Sequence, residues 1–93
     1  MRRLPSSLND HNISDQEIDE IFYGTVQPNV LIPLVSRNYG DRVLIVGVSS
    51  KRVPLIEIGI EDRNDELVIF HAREATQKSI KAYEEQTRNR RYH

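Results

Sequence analysis

Ninety-three residues, 38% hydrophobic and 29% charged with a formal net charge of −1, describe one small domain around a single core. The absence of cysteine excludes disulfides, thiolate catalysis and Cys-based zinc sites, and points to a cytoplasmic chain stabilised by packing. No apolar run approaches the roughly 18 residues a membrane span requires, and no basic start leads into an apolar stretch, so neither a membrane protein nor a signal peptide is expected.

The chain reads as one domain over 1–93, with an ordered core over about 11–86 and mobile ends at 1–10 and 87–93. Its first element is a helix. Ser14 and Glu17 occupy the N-cap and N3 positions of a capping box, and Ile13 and Ile18 are placed for a hydrophobic staple. Ile18, Ile21 and Phe22 follow as an apolar stripe, Asp15, Glu17, Asp19 and Glu20 favour the positive end of the helix dipole, and Gly24 and Pro28 stop the run.

Strands fill the middle. Val30 to Ser36 is apolar but contains Pro33, which cannot donate to a ladder, so it belongs at an edge or a bulge. After a turn at "SRNYGDR", Arg42 to Val48 reads as a central strand covered on both faces. "SSKRVP" turns the chain again. Ile56, Ile58 and Ile60 then alternate with Glu57, Gly59 and Glu61 in a strand from Val53 to Glu61. A third turn at "DRND" leads into a fourth strand, Glu66 to His71.

The last helix runs from about Glu74 to Gln86, with Ala75, Ser79, Ala82 and Tyr83 on one face and most of the charges elsewhere. The expected architecture is α+β: an N-terminal helix, a four-stranded antiparallel meander sheet and a C-terminal helix, the helices packed on one face.

Charge is unevenly spread. Between Asp10 and Phe22 there are five carboxylates and no Lys or Arg, whereas six cations face three carboxylates between His71 and His93. Two readings are open: a basic face that seats phosphate, or a solvated helix with a basic tail. His11, His71 and His93 lie in separate segments without metal-type spacing, and Gly24, Gly40, Gly47 and Gly59 are too scattered for a phosphate loop. No metal or other cofactor is expected.

What remains is acid–base and electrostatic chemistry on a phosphate. RNA is cut without a metal when its 2′-hydroxyl is deprotonated, the phosphate charge is stabilised by a cation and the leaving oxygen is protonated. In "LVIFHAREAT", His71 and Arg73 share a face if the strand continues past His71, and an arginine fork suits two phosphate oxygens. On residues alone the competing reading is a surface histidine beside an arginine paired with Glu57 or Glu74.

Several segments together, "DRVLIVGVS", "VPLIEIGIED" and "LVIFHAREATQKSIKAYEE", resemble the BrnT family of bacterial toxins. These are small ribonucleases of type II toxin–antitoxin systems with a RelE-like fold. The resemblance rests on Arg42 with Gly47, on Glu61, on Ala72-Arg73-Glu74-Ala75-Thr76 and on Tyr83-Glu84. "HNIS" before the acidic helix is similar to the family's His-Gly-Val/Ile-Ser segment, and the match covers about residues 11–85.

The chain departs from the pattern in having Asn12 after His11 where the family has Gly, and Asp62 where Arg is common. Only ten residues precede His11 in place of an aromatic-rich strand and a helix, so it reads as an N-terminally shortened relative. The resemblance implies a metal-independent endoribonuclease neutralised by an antitoxin, commonly a ribbon-helix-helix protein. Arg73 would then stabilise the phosphate and His71 exchange a proton, while Arg42, Lys51, Arg52 and Lys78 position the RNA backbone. The alternative is a non-catalytic module that keeps the fold and binds a protein partner, for which the Val30–Ser36 edge would serve by strand addition.

Overall fold

In the computed structural model, which describes residues 1–8, 12–35, 41–51 and 54–91, Ser14 opens α1 (Asp15–Tyr23) as its capping box dictates. The Glu17 amide donates to Ser14 Oγ at 3.2 Å and the Ser14 amide donates back to Glu17 Oε1 at 3.1 Å. Gly24, in the left-handed region at φ 63°, ends the helix, and the Asn29 side chain donates to the carbonyls of Ile21 and Phe22.

The sheet has five strands: β1 (Arg2–Arg3), β2 (Val30–Leu34), β3 (Arg42–Gly47), β4 (Ile56–Arg63) and β5 (Glu66–Glu74), in the spatial order β1-β5-β4-β3-β2. From β2 to β5 the neighbours are antiparallel, as expected of a meander. The four-stranded, purely antiparallel sheet is corrected by β1, which pairs parallel to β5 at Val68 and Ile69 and makes the sheet mixed. Nothing in the pattern of "MRRLPSSL" announces a strand, because backbone pairing and one arginine hold it. Arg3 donates to Ser7 Oγ at 3.0 Å, to the Ser7 carbonyl at 2.9 Å and to Asp15 Oδ1 at 2.7 Å, tying the first residues to the start of α1. Pro5–Leu8 forms a 3-10 turn between them.

Strand ends also differ from the periodicity. Asn64 and Asp65 both take positive φ, 52° and 66°, as a two-residue hairpin turn requires, so β4 and β5 run up to it and pair at Arg63 and Glu66. At its other end β5 continues three residues past His71. Helix α2 (Gln77–Arg91) starts later and ends later than Glu74–Gln86.

The helices lie on opposite faces, which corrects their expected placement on one. Ile18 and Ile21 of α1 pack with Ile45, Ile56, Ile58 and Ile60 in the main core. Each fully buried isoleucine contributes about 1.5–3 kcal/mol. Gly47 lets α1 approach, since a Cβ there would lie 3.3 Å from Ile21. Strand side chains alternate, so Glu57 points to the other face, and there Ser79 of α2 meets it. Val46, Glu57's partner across the ladder, and Val30 beside it are fully buried on that second face, where α2 lies against β2 and β3.

Candidate functional site

On the second face of the sheet α2 lies against β2 and β3, and its first turn reaches Glu57 of β4. Across β4 and β5 this face carries the chemistry-bearing residues. Register places Arg73 opposite Glu57 and His71 opposite Gly59, so His71 and Arg73 share this face, about 7 Å apart along the strand. One ladder step later, Ile60 faces Ile69 instead, which leaves Phe70 as the extra residue of a bulge. The bulge turns Phe70 over Gly59, where a Cβ would meet the ring at 2.6 Å. Only glycine fits under that ring.

Glu57 is the centre of the arrangement. It is buried, and its Oε2 lies 2.9 Å from His71 Nε2 while its Oε1 accepts the Thr76 amide at 2.8 Å. Burial alone would push this carboxyl up, but the Thr76 amide, the Ser79 hydroxyl and His71 together hold it below its ordinary value. His71 keeps about a third of its side chain exposed and makes no other hydrogen bond among the described residues. Arg73 donates from Nε to the Glu74 carbonyl at 3.3 Å; its two terminal nitrogens have no partner among the described residues. The carboxylate pairing of Arg73 weighed from sequence is replaced by this backbone contact, and Glu57 holds the histidine instead.

A second carboxylate on the same strand face is held differently. Glu61, also buried, receives Arg63 on Oε2 and Arg42 on Oε1, the latter at 2.6 Å, and these two guanidinium groups hold it below the ordinary carboxylate value. Arg42 also sits 4.1 Å above the centre of the Phe70 ring. Arg42 is therefore committed to a carboxylate and an aromatic face, at the end of the sheet opposite Arg73.

Of the remaining residues read as RNA contacts, Lys51 and Lys78 are among the described residues. Lys51 lies exposed in the β3–β4 turn and Lys78 exposed in the first turn of α2, both at the end of the sheet where β5 closes. Arg52 and His11 lie outside the described residues. Among the described residues, no three His, Asp or Glu side chains converge on a common point that would hold a metal ion, and no helix is long and apolar enough to cross a membrane.

Sequence reasoning named Glu57 only as a partner for Arg73. The signal for more was present: one carboxylate between Ile56 and Ile58, where a buried charge demands partners. Which partners it finds depends on the β4–β5 register and on the Phe70 bulge, and neither has a sequence signature. No protein-family model, curated protein or solved structure matches the chain.

Proposed function

We propose that this chain is a BrnT-like toxin-family protein, a metal-independent endoribonuclease that acts in the cytoplasm and is neutralised by an antitoxin of the ribbon-helix-helix type. The observation that carries the reading is a juxtaposition of two partly exposed side chains on the second sheet face. There His71, held by a buried carboxylate, stands beside Arg73, whose terminal nitrogens are unpartnered among the described residues. His71 takes the proton of an RNA 2′-hydroxyl, and the freed oxygen attacks the adjacent phosphorus. Arg73 lays its fork against the phosphate oxygens as charge builds on them, and the 5′-oxygen leaves with a proton from water. The products are a 2′,3′-cyclic phosphate and a 5′-hydroxyl end. Lys51 and Lys78 approach the RNA backbone at that end of the sheet, and Arg42 supports the site through Glu61 and Phe70.

The test is incubation of the purified protein with single-stranded RNA in the presence of a chelator, with mass analysis of the cleaved ends. Cyclic phosphate ends are expected, and His71→Ala and Arg73→Ala are each expected to slow cleavage by about 100-fold or more. Intact RNA, or cleavage undiminished in both variants, overturns the reading.

A second reading, a non-catalytic interaction module, is favoured by the edge position of β2, where Leu31 is 53% exposed and Val35 fully so. A partner strand would add to that edge. The Gln86 amide already reaches the Leu31 carbonyl at 3.4 Å, so part of the edge is occupied. Leu31→Pro removes a backbone donor there; partner capture that survives the substitution rules out strand addition at β2.

A further inference from the structure

We infer that Glu57 is a positioning residue that fixes the neutral His71 ring with its proton on Nε2 and leaves Nδ1 as the nitrogen that accepts a proton. The inference concerns the ring itself; only its catalytic consequence rests on the endoribonuclease reading above.

What each oxygen of Glu57 can accept decides which ring nitrogen carries the proton. An ionised carboxylate is an acceptor only, and the groups that hold Glu57 below its ordinary value keep it ionised at neutral pH. Oε1 is taken by a backbone amide, a donor that cannot reverse, at the start of α2. Oε2 faces His71 Nε2 at 2.9 Å, and a neutral imidazole can meet a carboxylate oxygen at that distance only by donating. The proton is therefore on Nε2. Nδ1 carries the lone pair and makes no hydrogen bond among the described residues. The bulge at Phe70 sets the ring's side of the strand, Gly59 opposite His71 carries no side chain that could compete for the ring, and Arg73 opposite Glu57 donates its Nε to the Glu74 carbonyl instead.

The same geometry makes a sharp statement about Glu57→Gln. The Thr76 amide needs an acceptor, so the carbonyl oxygen of the substituted side chain turns to Thr76 and its NH2 group turns to His71. A donor facing Nε2 forces the ring proton onto Nδ1. One isosteric change thus inverts the tautomer and converts the accepting nitrogen into a donor, while the helix start keeps its hydrogen bond.

The experiment is a long-range proton–nitrogen correlation spectrum of the 15N-labelled full chain at alkaline pH, with His71→Asn to identify the His71 signals. In the wild-type protein a pyrrole-type Nε2 and a pyridine-type Nδ1 are expected, and Glu57→Gln is expected to exchange them. An averaged ring or an Nδ1–H form in the wild-type protein overturns the inference without the use of any variant. So does a Glu57→Gln spectrum that keeps the wild-type pattern. RNA cleavage is read separately. If the reading of the site holds, Glu57→Gln lowers kcat about 100-fold with KM little changed, because a misplaced proton removes the base and not the binding surface. The expected spectra with no cleavage by the wild-type protein would retain the positioning role and overturn the endoribonuclease reading; cleavage with the opposite tautomer would do the reverse.

Discussion

At the start of α1 the carboxylate that receives the cap residue's amide is Glu17, three residues along the same helix; at the start of α2 it is Glu57, nineteen residues back on β4. Both are buried, and both use the second oxygen to reach elsewhere. Glu17 Oε2 accepts the Ser49 hydroxyl at 3.1 Å, whereas Glu57 Oε2 holds the His71 ring. Ser79 stands at N3 of α2, where a capping box would have its glutamate; its amide donates to Thr76 Oγ1 at 3.3 Å as the box requires, but the Thr76 amide goes to Glu57 rather than to the N3 side chain. So α1 carries its whole start signal within four residues, and the start of α2 is completed by the sheet. The consequence is that α2, β4 and the end of β5 are joined through one side chain, and that side chain also sets the orientation of the candidate base. A helix that caps itself is insulated from the site; a helix capped by the site is not.

The comparison breaks most visibly at the two glutamates. Glu57→Ala leaves the Thr76 amide, the Ser79 hydroxyl and His71 without their acceptor and is expected to cost about 2–3 kcal/mol. Glu17→Ala strands the Ser14 amide and the Ser49 hydroxyl and is expected to cost about 1–2 kcal/mol. Urea unfolding measures both, and the His71 ring spectrum separates them. Only the Glu57 substitution should move it. A shift of the His71 signals in Glu17→Ala would show that the insulation of α1 is not real.

Acid sharpens the same contrast. Glu57 and Glu61 are both held below the ordinary value of 4.5, so the unfolded chain binds protons first as pH falls. Their contribution to stability is complete above the unfolded carboxylate range and disappears as pH drops through the lower folded values. Stability measured in urea from neutral pH downward should therefore decline through and below that range, and Glu57→Gln should flatten part of the decline. A variant that loses stability with acid as steeply as the wild-type protein would show that Glu57 titrates alike in both states.

How much of this could be read from residues alone follows the same division. The start and stop of α1 were legible because every group involved lies within a few positions: Ser14, Glu17, Ile13, Ile18 and Gly24 specify them locally. The antiparallel order of β2 to β5 was legible from alternation and short turns, and the shared face of His71 and Arg73 from their even spacing once β5 continues. What depended on long-range register was not. The parallel pairing of β1, the bulge at Phe70 and the Glu57–His71 contact are set by how strands meet, and a two-residue strand or a single extra residue leaves no periodic trace. The placement of α2 on the second face was hidden for the same reason. Among its described side chains the most buried is Ser79, which a hydrophobic pattern cannot weight correctly.

The smallest expected effect is the most direct test of that division. Ser14→Ala removes the cap oxygen from a helix whose start has no other source of it, and should cost about 1 kcal/mol. Thr76→Ala removes the equivalent oxygen from α2. In both variants the cap residue's amide still donates to a carboxylate, but Glu57 is fixed on β4 whereas Glu17 frays with the first turn of α1 itself, so the start of α2 keeps the stronger anchor. The expected cost is about 0.5 kcal/mol, at the bottom of the range for such caps. Thermal or urea unfolding of the two variants side by side gives the ordering. Equal losses would mean that both helices depend on their own hydroxyls and that Glu57 serves the histidine alone. A smaller loss at Thr76 would mean that the carboxylate of β4 does both, and that the start of α2 and the orientation of His71 cannot be changed independently.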